Sequence, residues 1–257
     1  MEFIICIPAR YQSSRLPGKP LLKINGKTII QHVYEKAIEL KKKYKVFDLV
    51  ILTDNKLIEE EVESFGGIAI IIHEYCLNGT DRIIHYLKNY YIAREIPLTN
   101  KVIVNIQGDE PFINIENINK AIDNYINKKD DNNIVCSTIH HKTRDENTIK
   151  LKSRGKLVLD NNNNIMYCSR NVIPSNKNND VVPDIDYYIH IGIFIFNATY
   201  LIKHYYNNNT RLQLIEDIEW MKIMEQGYKI NSVEVEDSER GVDTIEDYNY
   251  LVNKYSN

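Results

Sequence analysis

Residues 8–20 read PARYQSSRLPGKP and directly follow the apolar run Phe3-Ile4-Ile5-Cys6-Ile7. The run predicts a buried strand, and the loop after it carries three cations, Arg10, Arg15 and Lys19, together with a glycine. Backbone N–H groups and basic side chains in such a loop bind anions through charge-assisted hydrogen bonds. The sequence therefore predicts a phosphate-binding loop after the first strand, with a triphosphate as its ligand.

This loop differs from the common nucleotide-binding loops. Its spacing is neither the G-x-x-x-x-G-K-[ST] of P-loops nor the G-x-G-x-x-G of dinucleotide-binding folds. The alternative, a solvated basic loop beside an edge strand, accounts less well for cations, prolines and a glycine that converge within so short a segment.

Composition limits the classes of function. The 257 residues are 43% hydrophobic, enough for one large domain or one domain with a smaller insertion. The net charge of −3 gives no support for general binding to nucleic acid or to anionic membranes. The four cysteines form no C-x-x-C pair, which argues against a zinc site and a disulfide scaffold. Without a signal sequence or an apolar segment of the ~20 residues that span a bilayer, we expect a soluble cytoplasmic protein.

Apolar runs alternate with helix-period segments in the first half, which predicts βαβ units and a mostly parallel sheet. In chain order we predict strand 3–7, helix 28–43, strand 48–52, helix 55–65, strand 68–72, helix 79–91 and strand 101–106.

The second half has β-branched, alternating segments that favour an antiparallel excursion. Here we predict strands 134–139, 157–159 and 189–196, then helix 213–226, strand 229–235 and helix 244–255. Asn-rich segments are predicted to be turns or loops: 127–133, 160–164, 175–180 and 207–209.

Two aspartates are candidate metal ligands. Asp109 follows strand 101–106 in the turn Gln107-Gly108-Asp109-Glu110-Pro111, at the carboxyl edge where open α/β sheets bind ligands. Its carboxylate suits Mg²⁺ bound to a nucleoside triphosphate, although a turn-stabilising role is the alternative. Asp243 precedes the last helix, and by itself it is better explained as a helix N-cap.

The segment Asn78-Gly79-Thr80-Asp81-Arg82 follows a strand and opens a helix. Amide groups at a helix N-terminus, with the Thr80 hydroxyl, can bind an anion or a base edge. Helix capping by Thr80 and Asp81 is the structural alternative, and both roles can coexist.

The loop pattern P-A-R-x-x-S-x-R-L-P-G-K-P-L closely resembles the 3-deoxy-manno-octulosonate (Kdo) cytidylyltransferases, also called CMP-Kdo synthetases. The segments Q-G-D-E-P and G-V-D-T recur at matching places in that family, where their aspartates are the metal ligands. The resemblance therefore implies that Asp109 and Asp243 bind Mg²⁺ and that Lys19, Arg15 and Asp109 are catalytic. It also implies nucleotide binding by Ala9, Arg10, Arg15, Lys19, Asn78, Gly79, Thr80 and Arg82, with Asn78 replacing the serine of the family's S-G-T-[DE]-R.

The resemblance extends to a sugar-binding half. Residues 167–174 resemble the family's Y-F-S-R-x-x-I-P, and residues 190–194 resemble H-x-G-I-Y. Arg170 offers a planar fork that suits the carboxylate of a sugar acid, and a lone Arg or His would otherwise more often be structural. The sugar-binding residues implied are Gln107, Arg170, His190, Gln213 and Glu216.

The match is weakest at residues 212–222, where the family reads close to L-E-x-x-E-x-L-E-Q-L-R. Here Glu216 and Glu219 remain, whereas Gln213, Trp220 and Lys222 stand where the family has Glu, Gln and Arg. Trp220 either reshapes the sugar pocket or is a core residue of its helix.

The resemblance implies a single domain with a Rossmann-like three-layer nucleotidyltransferase fold, a mostly parallel central sheet and an antiparallel excursion for sugar binding and dimerisation. In this division, residues 1–133 are mainly nucleotide-binding, 134–210 form the excursion and 211–257 return to the core. The implied activity transfers CMP from CTP to a 3-deoxy-2-ulosonic acid, with a homodimer and lipopolysaccharide biosynthesis as its setting. The alternatives are an amino-Kdo or another nonulosonic acid as substrate, and a non-catalytic nucleotide-sensing module.

Overall fold

The structure is a computed structural model, and it describes residues 1–13, 15–205, 209–236 and 239–255. The chain forms two compact α/β units, residues 1–115 with 238–257 and residues 116–237. These bounds differ from the predicted divisions after residues 133 and 210, and the single-domain prediction stays a prediction. No helix in the described ranges has the length and apolar character to cross a membrane.

The first unit begins with a strand and alternates strands with helices. In chain order it contains β1 (Glu2–Ala9), β2 (Lys23–Ile24), β3 (Lys27–Thr28), α1 (Ile29–Glu39), β4 (Val46–Thr53), α2 (Lys56–Ser64), β5 (Ala69–Ile71), α3 (Gly79–Tyr86) and β6 (Lys101–Ile106). The predicted helix 79–91 changes at Leu87 to a π-helical turn that ends at Tyr91.

The sheet of this unit is parallel, as the sequence predicts. β1 pairs with β4 on one side and β6 on the other, and β5 pairs with β4. β1 is buried from Phe3 to Ala9, which explains its continuous apolar run. The carboxyl ends of β1, β4 and β6 therefore lie at one edge of the sheet and lead into residues 10, 54 and 107.

The second unit is richer in antiparallel pairs. It contains α4 (Ile115–Lys128), β7 (Ile134–Thr143), α5 (Glu146–Lys150), β8 (Lys156–Leu159), β9 (Ile165–Ser169), β10 (Tyr187–Asn197), α6 (Ala198–Tyr200), α7 (Arg211–Glu216), α8 (Met221–Glu225) and β11 (Lys229–Glu234). β10 runs antiparallel to β7 and to β8, and β8 and β9 form an antiparallel hairpin, so the predicted antiparallel excursion is confirmed. The chain then returns to the first unit with α9 (Ile245–Tyr255).

Two sequence-based assignments in the second unit are wrong. Residues 127 and 128 belong to the end of α4 and not to a turn, because Ile118, Ala121 and Ile122 bury one face of this helix. The predicted helix 213–226 is two short helices, α7 and α8, because Asp217 adopts a left-handed backbone conformation with φ 53°. Of the predicted loop 207–209, residues 207 and 208 lie outside the described residues.

A small apolar cluster packs against the loop after β1. Ile24, Ile29, Val242 and Leu251 are fully buried in it, and Leu16 of the loop packs against them. The same cluster thus holds the loop after β1 and the segment that carries Asp243, although more than 200 residues of sequence separate them.

Candidate active site

The loop after β1 is closed by its own backbone. The carbonyl oxygen of Tyr11 accepts hydrogen bonds from the N–H groups of Ser13 (3.1 Å) and Gly18 (2.9 Å). Gly18 has φ 68°, a left-handed conformation that glycine adopts without strain, and it begins the short 3₁₀ turn Lys19–Leu21. This turn brings Lys19 back towards the carboxyl edge of the sheet.

Asp54 ties the loop to two other parts of this edge. Its Oδ1 accepts a hydrogen bond from the Tyr11 N–H (2.9 Å), and its Oδ2 accepts one from Nη2 of Arg82 (3.2 Å). Arg82 is 6% exposed, so this pair holds the buried guanidinium beside the loop. Asp54 is not among the predicted site residues, although it directly follows the buried end of β4 at the carboxyl edge of the sheet.

Gly108 allows the β1 and β6 ends to approach closely. A Cβ atom at this position would lie 2.7 Å from the Pro8 carbonyl oxygen and 3.2 Å from Cβ of Ala9. A larger residue would push the two strand ends apart, and with them the next residue, Asp109. Glycine is therefore required here by contact with the neighbouring backbone.

Lys19, Arg15, Asp109 and Asp243 form a mixed-charge cluster. Nζ of Lys19 lies 2.6 Å from Oδ2 of Asp109 and 3.5 Å from Oδ1 of Asp243. Nη2 of Arg15 lies 3.3 Å from the same Oδ1 of Asp243. The Lys19 side chain is 11% exposed, so its ammonium is largely withdrawn from water and needs these carboxylates.

The segment before α9 brings Asp243 into this cluster. The N–H of Val242 donates to the backbone carbonyl of Asp109 (2.8 Å), which joins the two turns directly. The helix is capped by Thr244, whose Oγ1 accepts from the N–H of Asp247, while Asp247 accepts from the N–H of Thr244. This reciprocal capping box leaves the carboxylate of Asp243 free to contact Lys19 and Arg15.

The donor set at this point fits a magnesium ion. Two carboxylates approach within 3.5 Å of one ammonium nitrogen, so they already converge on a single cation. The described residues contain no group of three or more His, Cys, Asp or Glu side chains that could hold a metal. Mg²⁺ is typically bound by one or two carboxylates with phosphate oxygens and waters, which matches a site with two carboxylates beside the basic loop after β1.

The N-terminus of α3 supplies further polar groups at the same edge. Oδ1 of Asn78 accepts a hydrogen bond from the N–H of Asp81 (2.8 Å), so Asn78 is the N-cap. Asparagine caps helices as well as serine does, so Asn78 is suited to this position. A Cβ at Gly79 would lie 3.2 Å from Pro8, and Thr80 is fully buried, so this turn packs tightly against the end of β1.

The remaining predicted residues of the first unit differ in exposure. Ala9 is 4% exposed at the end of β1, whereas Arg10 is exposed at the start of the loop. Gln107 is partly buried after β6, and its Oε1 would lie 3.9 Å from a Cβ at Gly79. These placements put all three residues at the carboxyl edge of the parallel sheet.

In the second unit, Arg170 is held by backbone carbonyl groups. Its Nη2 donates to the Asp217 carbonyl (2.9 Å), and Nη1 donates to the carbonyls of Lys152 (3.3 Å) and Ser153 (3.4 Å). The Asp217 carbonyl is accessible because the chain leaves helical geometry there. Nε of Arg170 is buried without a hydrogen-bond partner in the described ranges, which leaves it as an unused donor.

Lys156 anchors the backbone around Arg170. It is fully buried, and its ammonium donates to the carbonyls of Leu151 (2.8 Å), Arg154 (2.8 Å) and Arg170 itself (2.5 Å). Burial lowers the pKa of Lys156 to about 8, so the ammonium form still predominates at pH 7. Lys156 is not among the predicted site residues, because a lysine at the start of a strand does not by itself indicate a function.

Glu216 connects α7 to the segment that carries Arg170. Its two carboxylate oxygens accept hydrogen bonds from Tyr167 Oη (3.0 Å) and Ser169 Oγ (2.7 Å). Gln213 is 7% exposed and uses its amide locally, since Oε1 accepts from the N–H of Thr210 (3.2 Å) at the start of α7. Sugar binding by Gln213 and Glu216 stays a prediction.

Trp220 lies under His190. It is 4% exposed, and the ring centroids of Trp220 and His190 are 5.1 Å apart. Phe194 packs against both rings, at 5.0 Å from His190 and 5.9 Å from Trp220. Of the two roles considered for Trp220, this environment favours a core residue that supports His190.

Two histidines of this unit make stability depend on pH. Burial lowers the pKa of His140 to about 4 and that of His190 to about 3, whereas an unfolded chain protonates histidine near pH 6.5. The unfolded state then binds more protons below that pH, so we expect the free energy of unfolding to fall as the pH falls from about 6.5 to 4, by about 1.4 kcal/mol per unit for each histidine. Urea unfolding across this range measures the slope.

The control for this prediction is a histidine in an exposed position. His140→Asn should halve the slope that the two histidines contribute, whereas His73→Asn should leave it unchanged because His73 is exposed. A stability that does not change between these pH values would contradict the prediction.

Comparison with known proteins gives consistent matches. Residues 4–230 match the cytidylyltransferase family model. The 3-deoxy-manno-octulosonate cytidylyltransferase of Protochlamydia amoebophila is 39% identical over 96% of this chain and 91% of its own length. The 8-amino-3,8-dideoxy-manno-octulosonate cytidylyltransferase of Shewanella pealeana is 36% identical over 90% of this chain and 89% of its own. A solved structure of CMP:2-keto-3-deoxy-manno-octonic acid synthetase complexed with CTP superposes with a TM-score of 0.85 at 30% identity, covering 100% of this chain and 99% of that one.

Proposed function

The chain belongs to the cytidylyltransferase family, and we propose that it transfers the CMP group of CTP to a 3-deoxy-2-ulosonic acid, with Kdo as the preferred acceptor. The observation that carries the proposal is the convergence of Asp109 and Asp243 on Lys19 beside the loop after β1. Such a cluster serves a metal–triphosphate substrate, whereas a protein that only senses a nucleotide has no need of two metal-binding carboxylates.

In the proposed reaction the anomeric oxygen of the sugar forms a bond to the α-phosphorus of CTP. The bond between the α-phosphorus and the bridging oxygen to the β-phosphate breaks, pyrophosphate leaves, and the anomeric proton is released. No covalent bond to the protein is needed. Positioning and compensation of charge therefore dominate the contribution of the protein.

The side chains of the first unit divide this work between them. Lys19 and Arg15 donate hydrogen bonds to phosphate oxygens and offset the charge that develops on the leaving pyrophosphate, and exposed Arg10 adds to the same field. Asp109 and Asp243 would hold Mg²⁺, which when bound neutralises phosphate charge and polarises the reacting groups. Asp54 holds the loop after β1 and the Arg82 guanidinium in place through its two hydrogen bonds.

The side chains of the second unit bind the sugar acid in this proposal. The Arg170 side chain is 38% exposed, so its guanidinium can reach the sugar carboxylate, and three carbonyl groups already orient it. The 8-amino sugar is a second candidate acceptor, because the Shewanella relative that is named for it is nearly as similar to this chain as the Kdo relative. A homodimer and a role in lipopolysaccharide biosynthesis belong to the same proposal.

Pyrophosphate release tests the proposed function. With CTP and Mg²⁺ we expect release to depend on Kdo or its 8-amino analogue and to fall sharply when CTP is replaced by another nucleoside triphosphate. Lys19→Met, purified in the same way, is the control for contaminating host enzyme. Absence of release with every sugar acid, together with tight CTP binding, would favour a nucleotide-sensing module instead.

A further inference from the structure

The hydroxyl group of Thr138 on β7 has two hydrogen-bond partners. Thr138 is fully buried, and its Oγ1 lies 2.6 Å from the carbonyl oxygen of Ile193 and 2.8 Å from Nε2 of His190. A carbonyl oxygen only accepts, so the single hydroxyl hydrogen is directed to Ile193. Oγ1 must then accept from His190, and Nε2 of His190 must carry a hydrogen.

The surroundings of His190 keep its ring neutral. The ring packs against Phe194 and Trp220, and burial, together with the positive charge of Arg154, lowers its pKa to about 3. A neutral imidazole with hydrogen on Nε2 has a lone pair on Nδ1. This Nδ1 atom has no hydrogen-bond partner in the part of the chain that the structure describes.

We propose that Thr138 fixes the tautomer of His190, so that Nδ1 is a hydrogen-bond acceptor for a hydroxyl or ammonium group of the sugar acid. The proposal rests on the proposed function, since it takes the sugar acid as the ligand. Thr138 is a positioning residue here, because it acts on the ligand only through the imidazole.

Arg170 and His190 have opposite hydrogen-bonding roles, and together they can select for the sugar acid. A guanidinium only donates, whereas Nδ1 of His190 only accepts. The segment 152–155 contacts both residues. The carbonyls of Lys152 and Ser153 accept hydrogen bonds from the Arg170 guanidinium, and the carbonyl of Gly155 accepts one from the backbone N–H of His190 (2.9 Å). The carboxylate is directed to Arg170 and a hydroxyl or ammonium group to His190, so the pair sets the orientation of the sugar acid.

An acceptor at Nδ1 of His190 explains how relatives named for Kdo and for its 8-amino analogue can use the same site. An ammonium group and a hydroxyl group both donate to Nδ1, so a neutral imidazole accommodates either. A carboxylate or phosphate oxygen at the same place would meet a lone pair and be disfavoured. A His190 ring protonated on Nδ1 would reverse this preference.

The test combines nitrogen NMR with kinetics. In protein labelled with ¹⁵N in its seven histidines, the His190 signals are assigned by their loss in His190→Asn. We expect wild-type and Thr138→Ser to show a protonated Nε2 and an unprotonated Nδ1 at neutral pH. Thr138→Val removes the acceptor and should shift the tautomer ratio, and it should raise KM for Kdo roughly five- to tenfold, the loss of about one hydrogen bond, with KM for CTP unchanged.

The spectra and the kinetics test separate parts of the proposal, the tautomer of His190 and its role in sugar binding. A wild-type spectrum with hydrogen on Nδ1, or an unchanged spectrum in Thr138→Val, would overturn the tautomer assignment. A shifted tautomer with an unchanged KM for Kdo would overturn the role in sugar binding. If the wild-type enzyme releases no pyrophosphate with any sugar acid, the proposed function and the sugar ligand fail together, and the nitrogen spectra still decide the tautomer. Should Thr138→Val not fold, Thr138→Ala, which removes the same hydroxyl, takes its place with the same expected changes in the spectrum and in KM for Kdo.

Discussion

Asp109→Asn is expected to lower kcat by about 10²–10³-fold, the loss typical when one preorganised charge-stabilising group is removed, while the protein keeps its fold. The amide is a weak ligand for Mg²⁺ and cannot balance the Lys19 ammonium, which now lies 2.6 Å from Oδ2 of Asp109. The backbone should be unaffected, because the Asp109 carbonyl still accepts from the N–H of Val242. Pyrophosphate release at saturating CTP and Kdo gives kcat, and thermal unfolding reports on the fold.

A control variant and a metal-binding measurement make this test specific. Glu60→Gln makes the same change of carboxylate to amide on an exposed position of α2 and should leave kcat unaltered. Binding of Mn²⁺ as a probe, measured with CTP present, should weaken in Asp109→Asn and in Asp243→Asn but not in Glu60→Gln. Full activity of the wild-type enzyme in excess EDTA, or of Asp109→Asn, would contradict the metal assignment.

The parallel half of the fold could be predicted because its signals are local. The strand at residues 101–106 matches β6 at both ends, since β6 is buried along its whole length and is apolar except for Lys101 and Asn105. The break at Asp217 could not be predicted in this way. The helical spacing of apolar residues continues through it, and the left-handed turn is stabilised by a carbonyl contact to Arg170, which is 47 residues away in the sequence.

The candidate site shows the same division between local and distant causes. The sequence indicates the capping box, because Thr244 and Asp247 have the [ST]-x-x-[DE] spacing. With Thr244 as the cap, Asp243 is not needed in that role. The position of Asp54 directly after a buried strand likewise indicates a carboxylate at the edge where ligands bind. The hydrogen bond of Thr138 to His190, which are 52 residues apart, joins β7 to β10, and that of Lys156 joins β8 to the residue after β9. The local sequence around each residue does not indicate such a partner.

Lys156→Met is the second prediction with a large expected effect. Methionine fills the space of the lysine side chain but leaves the carbonyls of Leu151, Arg154 and Arg170 without their donor. At about 1–3 kcal/mol for each buried polar group left unpaired, partly relieved by local rearrangement, we expect the free energy of unfolding to fall by about 3 kcal/mol. Urea unfolding at neutral pH measures this loss.

The same substitution should act on the sugar acid more than on the nucleotide. Lys156 fixes the backbone of Arg170 and of the segment whose carbonyls orient the Arg170 guanidinium, so we expect KM for Kdo to rise by at least tenfold and KM for CTP to change little. Lys101→Met is the matched control, because Lys101 is also buried, at 6% exposure, and its ammonium pairs with Glu2 (2.7 Å) at the start of β6 in the first unit. It should destabilise the protein without a selective effect on Kdo. An equal rise of both KM values in Lys156→Met would mean that Lys156 serves general stability alone, whereas partial recovery of KM for Kdo in Lys156→Gln, which retains two N–H donors, would identify its hydrogen bonds as the cause.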